Sequence, residues 1–277
     1  MERSRIHRPS LVSTVRGLGG RLPDPVKAQH ADLMHRLRWR NSPVARVTRA
    51  FVKTHGLTVQ DGPFAGMVFP RFAVGRGEML VPQLLGAYEF ELHDALRRAM
   101  NGSFDQIVDI GTSDGYYAVG LARGCPGATV VGYEMNDFPA RICRSLAEAN
   151  GVEDRLQLLG ECRLEDLQRL PHARSFVLCD CEGAEDHLMQ PQSVPLLQRA
   201  SAIVELHEHV SPGITQRITG RFERTHEIAI VASGRRYPGQ WPLLQEVPGV
   251  GYMDHELGLS EFRPYPMSWA VMEPRES

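Results

Sequence analysis

The chain has 277 residues, of which 42% are hydrophobic and 23% charged, and its formal net charge is −2. These values are typical of a large globular α/β protein with an extension, and they exclude disorder over the whole length. The sequence contains no run of about 18 uncharged apolar residues, which excludes a membrane-spanning helix. The N-terminus lacks the apolar stretch of a secretory signal, so we expect a cytoplasmic protein.

The cysteines give no sign of a disulfide framework or a structural zinc site. Their number is odd and they show no paired CxxC spacing. They are Cys125, Cys143, Cys162, Cys179 and Cys181.

The first 50 residues are basic, with 11 Lys or Arg against 3 Asp or Glu, whereas the other 227 residues carry a balance of −10. Such an arm can bind nucleic acid, an acidic surface or an anionic substrate, or it can pack on the acidic body of the protein. Apolar residues at helical spacing after Pro25 predict a helix over residues 26–39. We expect residues 1–103 to form an N-terminal helical arm and hairpin that cap the substrate site. The arm is also a candidate for the contact between the subunits of a homo-oligomer.

Two elements are predicted between the arm and the main domain. Residues 58–70 are expected to form two short strands around Gly62 and Pro63. Residues 83–102 show a helical apolar period that stops at Asn101 and Gly102, which predicts one helix.

From Phe104 onward, buried strands alternate with helical stretches. This pattern predicts an α/β fold with a seven-stranded, doubly wound, Rossmann-like sheet in a catalytic domain over residues 104–277. The predicted strands span residues 106–110, 129–134, 155–160, 175–180, 201–206, 227–232 and 268–273.

The connection over residues 233–266 is rich in Pro, Gly and aromatic residues and has little periodicity. A long connection of this kind in a compact domain is typical of a lid or pocket wall. With the N-terminal arm, it is expected to supply an acceptor pocket around Tyr237, Trp241 and Tyr252. Plain packing is the alternative for these three aromatic residues.

A glycine-rich turn follows the first predicted strand, in VDIGTSDG. Glycine allows a sharp turn and a close approach of the backbone to a ligand, and the exposed amides at the following helix start face the crevice. Asp109, Gly111 and Gly115 therefore indicate a binding site. Ser113 stands where the dinucleotide fingerprint has its middle glycine, and the third glycine is missing, so a dinucleotide is disfavoured.

A carboxylate closes the second predicted strand. Glu134 lies 23 residues after Gly111, where an acid can accept hydrogen bonds from both hydroxyls of a ribose. The sequence thus predicts a nucleoside-containing cofactor.

The sequence resembles the class I S-adenosylmethionine-dependent methyltransferases over residues 104–277, through VDIGTSDG, VVGYE, LLGEC and LCDCEGAE. The resemblance implies S-adenosylmethionine as cofactor and transfer of its methyl group. The implied cofactor contacts are Asp109, Gly111, Ser113 and Gly115 around the methionine part, Glu134 at the ribose, and Gly160 with Glu161 at the adenine.

A narrower resemblance comes from DCEGAE followed by IVELHE, which is similar to the FkbM-like branch of these enzymes. Known members methylate oxygen on sugars and natural products. It implies O-methylation of a small molecule.

The fourth and fifth strands should end side by side at the substrate crevice. Asp180 ends the fourth, and Glu205 and His207 follow the fifth on one face of an extended segment. These three residues can bind a divalent cation (magnesium, manganese or iron) that activates a substrate hydroxyl. Alternatively, His207 is the general base and the carboxylates, Asp180 among them, orient it. The third interpretation is structural, with polar groups that brace a helix start and a turn.

Two other functional classes compete with the methyltransferase. Ser113, Asp180 and His207 occur in the chain order of an α/β-hydrolase triad, and GTSDG fits G-x-S-x-G. A hydrolase, however, leaves Glu134 unexplained. A non-catalytic interaction module with a degenerate cofactor fold is the second alternative. A nucleic-acid substrate is disfavoured because the acidic body would repel phosphate.

Overall fold

The computed structural model describes residues 42–75, 79–171 and 173–275. Most of the basic arm, with the helix predicted over residues 26–39, lies outside the described residues. Its proposed roles in capping and in self-association therefore stay predictions.

The centre of the fold is a seven-stranded sheet with strand order β3-β2-β1-β4-β5-β7-β6. Its first five strands are parallel to one another, and β7 runs antiparallel to both β5 and β6. This confirms the predicted α/β fold with a seven-stranded, Rossmann-like sheet. The strands are β1 (Gln106–Ile110), β2 (Thr129–Tyr133), β3 (Leu156–Leu159), β4 (Ser175–Cys179), β5 (Ser201–Glu205), β6 (His226–Ala232) and β7 (Ser268–Pro274).

The central strands form where the sequence has short, nearly continuous apolar runs. Every residue of β1, β4 and β5 is buried, as expected for parallel strands covered on both faces. In contrast, β6 lies at one edge of the sheet, and only His226 among its residues is buried. The carboxyl ends of β1, β4 and β5 therefore come together in the middle of one sheet edge.

The α-helices lie before the first strand and between successive strands. They are α1 (Pro43–His55), α2 (Leu80–Leu85), α3 (His93–Asn101), α4 (Tyr116–Gly124), α5 (Asp137–Ala149), α6 (Leu164–Gln168), α7 (Glu185–Leu188), α8 (Ile214–Phe222), α9 (Pro242–Gln245) and α10 (Tyr252–Leu259). Short 3-10 turns occupy Arg71–Gly75, Phe90–Leu92, Glu153–Arg155, Pro195–Gln198 and Pro238–Gln240.

Two large apolar clusters hold these layers together. One includes Phe51 and Phe64 from the segment before the sheet, together with Ile107 and Val130 from the sheet itself. The other includes Val108 and covers the opposite face. The extension over residues 42–75 and 79–103 is thus packed into the same core as the sheet, and Met79 and Tyr88 reach the carboxyl ends of the strands.

The segment before the sheet differs from the expectation in two places. Residues 58–70 form one isolated antiparallel bridge, Thr58 to Val68, in place of two strands. The helix predicted over residues 83–102 is broken at Gly86, whose φ is 72°. A Cβ atom at Gly86 would lie 2.1 Å from the carbonyl oxygen of Asp61. The close packing of two chain segments therefore ends α2 there, and periodicity does not show such a contact.

Within the described part of the chain, no helix combines the length and the apolar character needed to cross a membrane.

Candidate active site

The glycine-rich turn after β1 passes against the backbone at the end of β4. Gly111 has a φ of 88°, and a Cβ atom on it would lie 1.7 Å from the carbonyl oxygen of Asp180. Gly115 has a φ of 90°, and its Cβ would lie 2.6 Å from Sγ of Cys143 in α5. Both positions exclude a side chain by space and by conformation. The turn thus brings its backbone close to the crevice at the strand ends.

Asp109 lies beneath this turn and is almost completely buried, with 1% of its surface exposed. Neither carboxylate oxygen has a hydrogen-bond partner among the described residues. Burial raises the pKa of Asp109 to about 7, and the nearby carboxylates of Glu134 and Asp114 add to the effect. A buried carboxylate with unused hydrogen-bonding capacity is costly for the fold, which makes a functional role the better explanation.

Glu134 follows β2 and holds the glycine-rich turn in place. Its Oε2 atom accepts a hydrogen bond from the Ser113 amide at 3.0 Å, and its Oε1 atom accepts one from the Asn136 amide at 2.7 Å. Its own amide donates to the carbonyl of Leu159 at the end of β3. Since a carboxylate has about four acceptor sites, Glu134 retains capacity for ribose hydroxyls.

The two residues predicted at the adenine lie just after β3. Gly160 and Glu161 are exposed, and Glu161 forms an ion pair with Arg163 at 3.1 Å. They are brought near Glu134 by its hydrogen bond to the end of β3 but do not line the cavity beside the turn. Their predicted contact with a cofactor stays a prediction.

A cavity of about 290 Å³ adjoins the glycine-rich turn. One wall is the turn itself, another is the start of α5, and a third comes from α2 and the residues around it. Its lining includes Gly111, Ser113, Asp114, Phe138, Ile142, Leu80, Gln83, Tyr88, Leu178 and Asp180. We call this the turn cavity.

A second cavity, of about 270 Å³, lies beside the ends of β4 and β5. Met79, Tyr88 and Asp180 line both cavities, which therefore meet at the end of β4. The other lining residues are Glu182, Glu205, His207, His209, Glu261, Phe262, Arg263, Pro264 and Met267. We call this the acidic cavity.

His207 lies between carboxylates on both sides of its ring. Its Nδ1 atom is 2.8 Å from Oε1 of Glu185, which is fully buried. Its Nε2 atom is 3.7 Å from Oδ1 of Asp180 and 3.5 Å from Oε2 of Glu182. The ring is thus held from its Nδ1 side and presents Nε2 to the acidic cavity.

The Glu185 carboxylate is fixed by the loop after β4. Its Oε1 atom also accepts hydrogen bonds from the amides of Cys181 (2.9 Å) and Gly183 (3.2 Å). Burial opposes ionisation of both partners, but their interaction prevails: it lowers the pKa of Glu185 and raises that of His207. At neutral pH this favours an ionised Glu185 and a more basic imidazole.

Glu205 has a different partner from the one expected for a metal ligand. Its Oε1 atom lies 2.5 Å from Nη1 of Arg263. The other nitrogens of this guanidinium group also form ion pairs: Nε lies 2.8 Å from Oε2 of Glu261, and Nη2 pairs with Glu89. Glu89 also accepts a hydrogen bond from the hydroxyl of Tyr117. The carboxylate of Glu205 therefore acts as part of an ion-pair network in this structure.

The ion-pair network holds more acids than bases. Arg236 joins it through Glu261 at 2.6 Å and Glu91 at 3.0 Å, so four carboxylates share two guanidinium groups. Burial, followed by the charge of Glu205, raises the pKa of Glu89 to about 7. Burial and the charges of Glu205 and Glu89 also raise the pKa of Asp180 well above its usual range. The region carries excess negative charge.

Four residues other than glycine have positive φ in the described chain, and all of them border these cavities or the network. They are Glu89 (44°), Ser113 (50°), Glu182 (56°) and Phe262 (52°). Left-handed backbone costs about 1–2 kcal/mol for a residue with a Cβ. Such strain is concentrated where function requires a fixed geometry.

The predicted acceptor-pocket aromatics lie elsewhere. Trp241 packs edge-on against Phe90, with ring centroids 5.6 Å apart. Tyr237 and Tyr252 line a separate surface groove with His255. The long connection does form a wall of the acidic cavity, but it does so through its last residues, from Glu261 to Met267.

The hydrolase triad finds no support in the contacts of its residues. A triad needs the acid at Nδ1 of the histidine and the serine at Nε2, whereas Asp180 faces Nε2 and Glu185 occupies Nδ1. The amide of Ser113 donates a hydrogen bond to Glu134, and Ser113 lines the turn cavity, whereas His207 lines the acidic cavity.

Sequence reasoning missed Glu185, Glu89, Glu261 and Arg263. Glu185 lies within the DCEGAE motif that indicated the family, but its pairing with His207 spans 22 residues and has no periodic signal. Glu261 and Arg263 are charged residues in a connection otherwise rich in Pro, Gly and aromatics. That contrast was the available signal.

No protein-family model matches this chain, and neither does any curated protein. Among solved structures, the chain is similar to an O-methyltransferase from Bacillus cereus in complex with S-adenosylhomocysteine. That pair has 17% identity, 84% coverage of this chain and 91% of the other, and a TM-score of 0.40.

The chain is also similar to the O-methyltransferase TomG from Streptomyces achromogenes, involved in tomaymycin synthesis, in complex with S-adenosylmethionine. Here the identity is 14%, the coverage 84% and 90%, and the TM-score 0.41. A methyltransferase from Geobacter sulfurreducens with bound S-adenosylhomocysteine matches with 16% identity, 68% and 91% coverage and a TM-score of 0.39. At this level of similarity, the residues of the site have to carry the assignment of function.

Proposed function

We propose that this protein is an S-adenosylmethionine-dependent methyltransferase that methylates an oxygen of a small molecule. The observation that carries the proposal is the meeting of the two cavities at Asp180. One of them adjoins a glycine-rich turn braced by Glu134, and the other presents Nε2 of His207. A methyl donor in the first cavity and a hydroxyl in the second would be neighbours.

The turn cavity would hold the cofactor. Exposed backbone at Gly111 and Ser113 would face its methionine part, and Glu134 would accept hydrogen bonds from the ribose hydroxyls. The unpartnered carboxylate of Asp109, beneath the turn, would favour the cofactor's ammonium group through its negative charge. The narrower FkbM-like resemblance remains part of this proposal.

The acidic cavity would hold the acceptor. The acceptor oxygen would attack the sulfonium methyl group in line, so that an O–CH3 bond forms as the S–CH3 bond breaks and a neutral thioether leaves. Nε2 of His207 would take the hydroxyl proton, which makes it the catalytic base. Because the sulfonium already activates the methyl group, orientation of the two ligands is the main task of the protein.

Glu185 would act as a positioning residue for this base. The negative charge of Glu185, 2.8 Å from Nδ1, would favour the tautomer with its proton on Nδ1, which leaves Nε2 free to accept a proton, and would stabilise the imidazolium that results. Residues 42–103 would close the site as a cap, since Met79 and Tyr88 line both cavities.

A divalent cation is the alternative means of activating the hydroxyl. Ligand atoms of Asp180, Glu185 and His207 lie within 4.8 Å of one another, and Oδ1 of Asp180 is buried without a hydrogen-bond partner. On the cavity side, Asp180, Glu182 and Nε2 of His207 would hold the ion. Glu205 would join them only after leaving Arg263. A bound magnesium, manganese or iron ion would lower the pKa of the acceptor hydroxyl.

Calorimetric titration of the full chain with S-adenosylhomocysteine tests the proposal. We expect micromolar binding that weakens at least about tenfold in Glu134→Gln, since hydrogen bonds to a charged carboxylate are lost. Glu227→Gln, an exposed carboxylate on β6, is the matched control. Absence of binding in the wild type would refute the methyltransferase and favour the interaction module.

The same titration separates the two modes of activation. After treatment with a chelator, magnesium or manganese is added to the wild type and to Asp180→Asn. A binding heat present only in the wild type would favour the cation. The absence of any such heat would favour His207 acting directly as the base.

A further inference from the structure

We propose that the acceptor is an organic cation: a small molecule that carries a protonated amine close to the hydroxyl that is methylated. This inference names the substrate class of the acidic cavity and rests on the proposed function. It follows from the charge of that cavity, from two polar atoms that lack partners there, and from its apolar walls.

The charge of the acidic cavity is the first observation. Four carboxylates line it, those of Asp180, Glu182, Glu205 and Glu261, together with one guanidinium group, that of Arg263. The guanidinium group is divided among Glu205, Glu261 and Glu89. It therefore cannot neutralise Asp180 and Glu182 as well, and a bound cation would be attracted.

The second observation is independent of this charge. The side chain of His207 is only 3% exposed, yet its Nε2 atom points into the cavity and has no hydrogen bond among the residues described. Oδ1 of Asp180, 3.7 Å away, is likewise buried without a hydrogen-bond partner. Buried polar atoms are normally satisfied, and both of these atoms are acceptors, so a ligand that supplies two hydrogen-bond donors, such as a hydroxyl and an ammonium group, is expected here.

The remaining walls fit an organic body. Met79, Tyr88, Phe262, Pro264 and Met267 contribute apolar and aromatic surface to the cavity. A volume of about 270 Å³ is close to the lower limit of small-molecule sites. A hard metal ion gains nothing from such walls, whereas an alkylammonium ion gains from both the carboxylates and the aromatic faces.

The spacing of these groups limits the acceptor further. Asp180 and Glu182 lie 3.7 and 3.5 Å from Nε2 of His207. An ammonium group on these carboxylates and a hydroxyl on Nε2 would therefore be only a few bonds apart. Amino alcohols and amino sugars have this arrangement.

Calorimetry with two matched pairs of probes tests the inference. The pairs are serinol and glycerol, and glucosamine and glucose, and each amine carries its ammonium group next to a hydroxyl-bearing carbon. Each probe is titrated into the full chain, with and without S-adenosylhomocysteine. We expect at least one amine to bind about tenfold more tightly than its neutral partner, and this preference to shrink at high salt.

Two variants test whether the preference for amines arises in the acidic cavity. Glu182→Gln removes an exposed charge at the mouth of the cavity and should reduce the preference for the amine at least about threefold. Glu227→Gln makes the same change on β6, far along the sheet, and should leave it unaltered. Equal effects of both variants would overturn the inference.

The outcomes distinguish this inference from the function on which it rests. Binding of S-adenosylhomocysteine without any preference for the amines would refute the organic cation and leave the methyltransferase standing. The inference would also be refuted, in favour of a metal ion, if magnesium binds the chelator-treated protein and abolishes the tighter binding of each amine relative to its neutral partner. A preference for amines without S-adenosylhomocysteine binding would keep the cation site and refute the methyltransferase.

Discussion

The Nδ1 atom of His207 lies 2.8 Å from Oε1 of Glu185, a carboxylate with no exposed surface. This contact leaves Nε2 as the only ring nitrogen that faces a cavity. Glu185 also accepts hydrogen bonds from two backbone amides, those of Cys181 and Gly183. Together with His207, these contacts fix the position of its carboxylate. The orientation of the imidazole is therefore determined before any ligand binds.

Replacement of Glu185 by Gln should shift the titration of His207 to lower pH. The carboxylate raises the pKa of His207, so its removal lets the opposing effect of burial lower that pKa. NMR titration of His207 measures the shift directly. In a methyltransferase assay, the acidic limb of the kcat/KM profile should move in the same direction. The control is Glu208→Gln, which changes an exposed carboxylate that accepts hydrogen bonds from the amides of Gly213 and Thr215. If the titration of His207 is unchanged in Glu185→Gln, the coupling between the two residues is refuted.

Substitution of Gly111 by Ala should destabilise the protein by several kcal/mol or prevent folding. The added Cβ would lie 1.7 Å from the Asp180 carbonyl oxygen, in backbone that cannot move without displacing β4. Gly151→Ala is the matched control, because Gly151 also has positive φ but has nothing within 4 Å of its Cβ position. It should cost only about 1 kcal/mol. Urea unfolding of both variants measures the difference, and similar losses would contradict the role given to close packing.

The Asp109→Asn variant should be more stable than the wild type at pH 8 and should bind S-adenosylhomocysteine less well. The pKa of Asp109 is raised to about 7, so the folded state binds more protons than the unfolded state between about pH 4 and 7. Stability then falls as pH rises through this window. Asn removes that penalty, with a gain of up to a few kcal/mol.

Urea unfolding at pH 5.5 and pH 8 checks this pH dependence. The wild type should lose more stability between the two values than Asp109→Asn does. Asp105→Asn, at an exposed position just before β1, is the control and should follow the wild type. A variant with the same pH dependence as the wild type would show that Asp109 is ionised in the folded state.

The Arg263→Gln variant should lose about 3–5 kcal/mol of stability, since three buried carboxylates would lose their shared partner. The loss should be larger at pH 8 than at pH 6, because the pKa of Glu89 lies at about 7. Arg275→Gln changes an exposed ion pair of 3.7 Å and should have little effect. Thermal unfolding at both pH values is the measurement, and a loss without pH dependence would contradict the electrostatic explanation.

The sheet was predictable because its signal is local. Each of the seven strands predicted for residues 104–277 overlaps an observed one, and each bound differs by no more than one residue, since runs of buried apolar residues define the parallel strands. The ends of β4 at Cys179 and of β5 at Glu205 also placed Asp180 and His207 near each other in advance. The distance of 3.7 Å between them agrees with that expectation.

The predictions that were wrong concern contacts between distant parts of the chain. The break at Gly86 results from the approach of Asp61, and the partner of Glu205 comes from Arg263, 58 residues further on. The pairing of Glu89 with Arg263 spans 174 residues. Neither periodicity nor spacing carries such information, because these pairs are decided by the packing of the extension and the last connection on the finished sheet.

Asp180 borders both cavities, and this gives the two ligands a shared energetic partner. A cationic methyl donor on one side and a cationic acceptor on the other would each favour ionisation of this carboxyl group and would compete for it. Departure of the methyl group removes the donor's sulfonium charge and ends that competition. Affinities at the two sites would then be reciprocally linked, with the acceptor held more tightly beside the neutral product than beside the charged donor.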